Sequence, residues 1–305
     1  MQFIAAYVMK GRLQAMTIAS TLALLSLIIP PISIVSSAAV ALVTLRQGAK
    51  EGVYVLISAC LAVALLSILL LGGYQFALIY GLVLWLPVWL IAMVLRETGL
   101  LNIALEVSVL LGIVMVVGFF WYEPEPAAIW NSLLSLFIQQ MIEAQPDVPE
   151  GVVKSSAETF AHYMTGAVAA GSLYGVLFSL FLARWWQAKL FNPGGFRVEY
   201  LALKGHKQLA VVTVALIILA AMASGITSEI CWNVLLVLLV FYSITGLAVL
   251  HSVFTSIKGS RYSVPILYVT LVAMPHLMAL IALCGLSDSW LNLRNKIKPN
   301  GTQLP

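Results

Sequence analysis

Charged side chains are scarce in this sequence, and their scarcity excludes a water-soluble domain. Asp, Glu, Lys and Arg make up 9% of the 305 residues, whereas 62% are apolar. Soluble domains carry about 25% charged and about 45–50% apolar residues. The chain instead holds many apolar runs close to the ~20 residues with which a helix crosses a hydrocarbon core of ~30 Å. We therefore predict an all-α, polytopic transmembrane helix bundle.

Cysteine is rare, and the common catalytic motifs are absent. Cys60, Cys231 and Cys284 stand singly, which is typical of small core residues. A disulfide between Cys231 and Cys284, both expected near the outer face, is the alternative. The sequence has no Gly-x-x-x-x-Gly-Lys-Ser/Thr loop, no His-Glu-x-x-His and no Gly-x-Ser-x-Gly. We therefore expect a protein that is not an enzyme, with no cofactor, no metal site and no nucleic-acid partner.

Apolar segments and charge together predict eight or nine spans. The segments are 13–29, 32–45, 53–71, 74–95, 99–121, 163–183, 208–226, 231–256 and 264–285. The second is short enough to be a re-entrant piece. If all nine cross with the N-terminus inside, twelve cations lie inside, and Lys154, Arg294, Lys296 and Lys298 lie outside. If 32–45 does not cross, six lie inside and ten outside, so the positive-inside bias favours crossing.

The twelve cations define the predicted cytoplasmic side. They are Lys10, Arg12, Arg46, Lys50, Arg96, Arg184, Lys189, Arg197, Lys204, Lys207, Lys258 and Arg261. Lys10 and Arg12 before an apolar stretch also fit a signal peptide, but the Pro30-Pro31 break and the later spans favour a retained first helix.

Four regions follow from this topology. They are the N-terminal transmembrane helices (1–121), an external acidic segment (122–162), the C-terminal transmembrane helices (163–285, with a cytoplasmic loop at 184–207) and a polar tail (286–305). Within the external segment, apolar residues recur at helical spacing over 127–144, between prolines. We expect an amphipathic helix on the outer membrane surface; a packed cap over helix ends and a lid over a pocket are the alternatives.

Ionisable groups within the apolar segments are few and mark candidate ligand contacts. Glu106 lies within the fifth segment, and Asn102, one turn earlier, shares its face. His276 lies near the middle of the ninth segment, beside Pro275, whose missing N–H loosens a helix. His251 is a weaker candidate near the inner end of the eighth. A carboxylate in hydrocarbon is costly and usually faces a cavity or a partner, so we expect Glu106, Asn102 and His276 to contact a ligand.

Two further features are candidate docking surfaces. The loop at 184–207 contains Trp185, Trp186, Arg197 and Lys204, which fit either an interfacial anchor or a site for a cytoplasmic partner. Small residues at every fourth position let another helix approach closely. Such ridges are formed by Ala15, Ala19 and Ala23 in the first segment, and by Ala167, Gly171, Gly175, Ser179 and Ala183 in the sixth.

Three stretches of the chain carry a family resemblance. They are ARWWQAKLFNPGGF (183–196), YVMKGRLQAM (7–16) and LIIPPISIVSSAAVALVTLRQG (27–48). They resemble the YybS-like family of bacterial multispan membrane proteins, which is remotely similar to the S components of energy-coupling-factor transporters. The resemblance implies a multi-pass protein of the bacterial inner membrane. It also implies a small molecule bound within about six helices, fewer than predicted here, and a coupling subunit docked on the Ala15, Ala19 and Ala23 ridge.

Two functional hypotheses follow. The first is a transport component that binds a small or lipid-like ligand within the helix bundle and docks a membrane or cytoplasmic coupling subunit. The second is a non-transporting scaffold that recruits a cytoplasmic partner through 184–207.

Overall fold

The computed structural model describes residues 2–144, 149–256 and 262–294, and within these ranges the chain forms helices, turns and connecting segments. The helices in chain order are α1 (Gln2–Val8), α2 (Arg12–Leu25), α3 (Ile32–Gln47), α4 (Ala49–Leu71), α5 (Gln75–Tyr80), α6 (Leu86–Thr98), α7 (Leu101–Tyr122), α8 (Pro126–Ala144), α9 (Glu150–Ala161), α10 (Met164–Phe191), α11 (Gly195–Leu201), α12 (Lys207–Met222), α13 (Gly225–Ser256), α14 (Ser263–Ala273) and α15 (Leu277–Leu291). A π-helical stretch, Gly81–Trp85, joins α5 to α6.

Five helices among the described residues are long and apolar enough to cross a membrane. They are α4, the continuous helix α5–α6, α7, α10 and α13. The helices α2, α3, α12, α14 and α15 are apolar but shorter, with 10–17 residues each. An all-helical membrane protein is therefore confirmed, whereas the count of eight or nine spans stays a prediction.

Contacts between distant cations and their partners define one end of the bundle. Arg12 pairs with Glu51 at 2.5 Å, so the start of α2 lies beside the start of α4. Arg46 lies 3.9 Å from the ring centroid of Phe191, which places the end of α3 beside the end of α10. We call this end, which carries the 184–207 loop, the loop end. The opposite end, reached by α7 at Tyr122, is the far end.

The helix α3 occupies the centre of the bundle and runs from one end to the other. It packs against α2, α4, α6 and α10, and every residue from 36 to 45 is buried. At its start the hydroxyl of Tyr80 donates to the carbonyl of Ser33 (3.4 Å), and near its end Arg96 donates to the carbonyl of Leu45 (2.8 Å). The short segment 32–45 therefore traverses the bundle, and its crossing of the membrane stays a prediction.

The ninth apolar segment does not form a single span. The helix stops at Met274–His276, because Pro275 has no N–H with which to continue the ladder. The resulting helices α14 and α15 have 11 and 15 residues, or about 16 and 22 Å. The helix α15 packs along α13 and continues to Leu291, so its last turn includes residues that the sequence assigned to the tail 286–305.

The end of α15 contacts the 184–207 loop, whereas the predicted topology places Arg294 and this loop on opposite sides. Arg294 donates to the carbonyls of Leu201 and Leu203, and the side chain of Lys204 donates to Asn292. Because the helix is interrupted near Pro275, the residues after α15 do not reach the far side of the bundle. Four other residues of the charge count lie outside the described residues: Lys258, Arg261, Lys296 and Lys298.

The helix predicted at 127–144 is confirmed as α8, which packs against α9 at the far end. The indole N–H of Trp130 donates to the hydroxyl of Thr165 at 2.8 Å and anchors α8 to α10. The position of α8 on a membrane surface stays a prediction.

All three cysteines are free. Cys231 is buried in the first two turns of α13, near the far end, whereas Cys284 lies on α15 beside the middle of α13. The alternative of a disulfide between them is not formed.

Candidate ligand-binding site

Glu106 meets a histidine that the sequence analysis did not single out. It lies in the second turn of α7, and its carboxylate is hydrogen-bonded to Nδ1 of His206. His206 has extended backbone angles and directly precedes α12, so its ring reaches across to α7. The side chain of Glu106 is 26% exposed, and that of His206 is 63% exposed. The pair therefore lies at the side of the bundle and is accessible to a ligand.

Asn102 fixes the segment that carries His206. Its side-chain oxygen accepts a hydrogen bond from the backbone N–H of Lys204 at 3.0 Å. The expectation that Asn102 and Glu106 share a helix face agrees with this geometry, because both side chains contact the segment 204–206. Asn102 thus positions the segment, and its oxygen is occupied by this chain.

A groove between α7 and α12 extends from the Glu106–His206 pair. It encloses about 440 Å³, and Gln208, two residues after His206, is a further polar residue of its lining. The remaining walls are apolar and are formed by Val109, Leu110, Ile113, Leu209 and Val212. Leu110 and Val212 are 58% and 51% exposed, so the groove opens at the side of the bundle.

The groove is polar at one end and apolar along its length. The carboxylate of Glu106 accepts hydrogen bonds, the imidazole of His206 donates or accepts according to its tautomer, and Gln208 does both. A molecule with a polar head and an apolar body matches this distribution of chemistry.

The structure does not bring His276 to this groove. His276 is exposed in the break between α14 and α15, and it is absent from the groove lining. His276 thus lies apart from Glu106 and Asn102, the other two predicted ligand contacts.

The small-residue ridge of the first segment is covered by this chain. Ala15, Ala19 and Ala23 are fully buried, and α2 packs against α3 and α4. The hydroxyl of Ser36 donates to the carbonyl of Ala19 at 2.7 Å, which shows how closely α3 approaches. The ridge therefore serves close packing inside the bundle, and it presents no exposed surface for the predicted coupling subunit.

The docking residues predicted in the 184–207 loop divide into buried and exposed ones. Trp186 is fully buried, and Trp185 is half-buried with the ammonium of Lys189 5.8 Å from its ring centroid. Lys204 is half-buried and bound to Asn292. Arg197, on α11, is exposed and is therefore the most accessible of these four docking residues.

The loop end is closed by a buried ion pair that the sequence did not reveal. Asp288 is 2% exposed, and one of its oxygens lies 3.4 Å from Nε of Arg294. Burial lowers the pKa of the Arg294 guanidinium, and the Asp288 carboxylate acts in the opposite direction. Burial likewise raises the pKa of Tyr200 in α11, whose ring lies close to His251. Ion pairing and ring contacts thus fasten the end of α15 and the 184–207 loop to the bundle.

A second histidine–carboxylate pair lies at the far end. Nδ1 of His162 is 3.0 Å from an oxygen of Glu229, and both side chains line a pocket of about 290 Å³. The two residues are separated by 67 positions, so no local pattern in the sequence joins them.

Comparisons with protein-family profiles, with curated proteins and with solved structures each found no match. The function of the two sites is therefore argued from their geometry and chemistry.

Proposed function

We propose that this protein is a membrane transport component that binds a lipid-like amphiphile in the groove between α7 and α12. The observation that carries the proposal is the position of the Glu106–His206 pair at one end of an otherwise apolar lateral groove. A charged side chain in a membrane-spanning segment is costly and usually marks a substrate path or a binding site. The head of the ligand would bind the pair, and its apolar body would lie against Leu110 and Val212.

The transport role is what the resemblance to the YybS-like family, remotely similar to energy-coupling-factor S components, implies. A coupling subunit would have to dock at a surface other than the covered alanine ridge. The exposed part of the 184–207 loop is the surface we propose, since Arg197 and Val198 are accessible there and Val198 is 71% exposed.

Native mass spectrometry of the protein, extracted gently from its own membrane, tests the proposal. We expect the wild type to retain an amphiphile. Val212→Trp fills the groove and should abolish retention, whereas the matched variant Val211→Trp should leave it unchanged. Val211 is the neighbouring residue on α12, is 58% exposed and does not line the groove.

The polar end is tested separately with Glu106→Gln, which removes the charge and keeps the size. Loss of a hydrogen bond to a charged group should weaken retention about 10- to 100-fold. Equal retention by the wild type, Val212→Trp and Glu106→Gln would refute the groove as the binding site. A wild type that retains no amphiphile would refute the proposed function itself.

The alternative function is a non-transporting scaffold, favoured by the exposure of Arg197 on α11. It predicts that Arg197→Glu abolishes capture of a cytoplasmic protein while Val212→Trp has no effect. Cross-linking in intact cells, followed by identification of the partner, distinguishes the two functions. A captured ATPase module would favour transport.

A further inference from the structure

The far-end pocket lies outside the groove described above and has its own set of polar and aromatic side chains. It encloses about 290 Å³ where α10 begins and α12 gives way to α13. Glu229 and His162 form its polar wall, and Tyr163 and Trp232 form an aromatic wall. Tyr163 and Trp232 are 37% and 38% exposed, so their rings are accessible.

The pocket is held in shape by a fully buried asparagine. The amide of Asn233 donates to the backbone carbonyls of His162 (2.7 Å) and Glu229 (2.8 Å), and its oxygen accepts from the N–H of Gly166 (2.5 Å). A Cβ at Gly166 would lie 2.5 Å from the carbonyl oxygen of Asn233, so the backbones of α10 and α13 are in direct contact. Such close packing leaves the backbones of α10 and α13 little freedom to move, so the backbones of His162 and Glu229 are held in place.

One carboxylate oxygen of Glu229 has no partner among the described residues. Its other oxygen binds His162, and the side chain as a whole is 18% exposed. The hydroxyl of the adjacent Ser228 donates to the carbonyl of Ala220 at 2.7 Å and is thereby engaged. Because that oxygen is closed off from solvent, a ligand in the pocket would meet the accessible part of the carboxylate.

The charge at the far end of the bundle favours a cation. Among the described residues of the α7–α8 turn and α9, the carboxylates outnumber the ammonium groups: Glu123, Glu125, Glu150 and Glu158 against Lys154. Surface carboxylates of one sign raise the local concentration of cations. Aromatic faces also attract ammonium groups, most strongly when the face belongs to Trp.

We propose that this pocket binds a primary alkylammonium group. Its N–H groups would donate to the carboxylate of Glu229, and its charge would lie against the rings of Trp232 and Tyr163. The group could come from a small soluble amine or from the head of an aminophospholipid at the membrane surface. This site is independent of the amphiphile groove, because the two pockets share no lining residue.

Ethanolamine is the probe, and the full-length protein in nanodiscs of pure phosphatidylglycerol, which has no amine, is the sample. We expect ethanolamine to raise the unfolding temperature, because a ligand that binds only the folded state stabilises it. Tetramethylammonium, which has no N–H, should bind more weakly. Glu229→Gln should lower the affinity about 10- to 100-fold. Trp232→Leu should also lower it, whereas Glu106→Gln, in the groove, should leave it unchanged.

Nanodiscs that contain phosphatidylethanolamine distinguish the two sources. If the lipid head is the ligand, the wild type is already stabilised there, added ethanolamine gives no further shift, and Glu229→Gln loses the lipid effect. If a soluble amine is the ligand, ethanolamine shifts the unfolding temperature equally in both lipids. The proposal is overturned if neither ethanolamine nor the lipid stabilises the wild type, or if Glu229→Gln and the wild type respond alike.

Discussion

Alanine at Gly285 is expected to destabilise the protein, because α15 and α13 meet there through their backbones. A Cβ at Gly285 would lie 2.2 Å from the carbonyl oxygen of Tyr242 and 2.7 Å from the backbone nitrogen of Gly246. Alanine gains about 1 kcal/mol over glycine within a helix, whereas overpacking a close contact costs about 1–3 kcal/mol. Since backbone atoms cannot rotate away, we expect the upper part of this range and a net loss of about 1–2 kcal/mol.

Gly171→Ala is the matched control. Gly171 lies within α10, and a Cβ there would meet no atom within 4 Å, so only the helix preference of alanine remains. Reversible unfolding by SDS in mixed micelles, followed by circular dichroism, gives both free energies. Gly285→Ala should lower the unfolding free energy and Gly171→Ala should leave it equal or higher. If both variants are as stable as the wild type, the backbone contact does not limit the packing of α15, and the reasoning is wrong.

Two other contacts are tested by the same unfolding assay. Ser36→Ala removes the acceptor of the buried Trp85 N–H (3.3 Å) and should cost about 1–3 kcal/mol, whereas the exposed Ser132→Ala should change stability by less than about 0.5 kcal/mol. Equal losses in the two serine variants would contradict this. Arg294→Met leaves the buried carboxylate of Asp288 unpaired and should cost about 3 kcal/mol or more. Adding Asp288→Asn should recover part of that loss, and a double variant no more stable than Arg294→Met would contradict the pairing.

The features that sequence reasoning predicted are those set by local patterns. Prolines and apolar spacing predicted α8. The positions of Ala15, Ala19 and Ala23 predicted a close helix contact, which α3 makes in place of the predicted coupling subunit. The one-turn spacing of Asn102 and Glu106 likewise predicted a shared face. Each of these depends on residues within a few turns of one another, where helical periodicity is informative.

The features that were missed depend on residues far apart in the chain. Glu106 and His206 are separated by 100 positions, and His162 and Glu229 by 67. Pro275 was recognised as a disturbance, but the pattern could not distinguish a kinked span from two helices. A kinked span would carry Arg294 to the opposite end of the bundle, whereas two helices let α15 pack back along α13. The position of Arg294 therefore depends on which of the two forms.

The enclosure of α3 also has a consequence for biogenesis. Its 16 residues span only about 24 Å, less than a hydrocarbon core of ~30 Å. The mature bundle tolerates this length because α2, α4, α6 and α10 stand between α3 and the lipid. During synthesis, however, α3 leaves the ribosome more than a hundred residues before α10. The face of α3 that packs against α10 therefore stays uncovered until that helix is made, and the packing around α3 is complete only then.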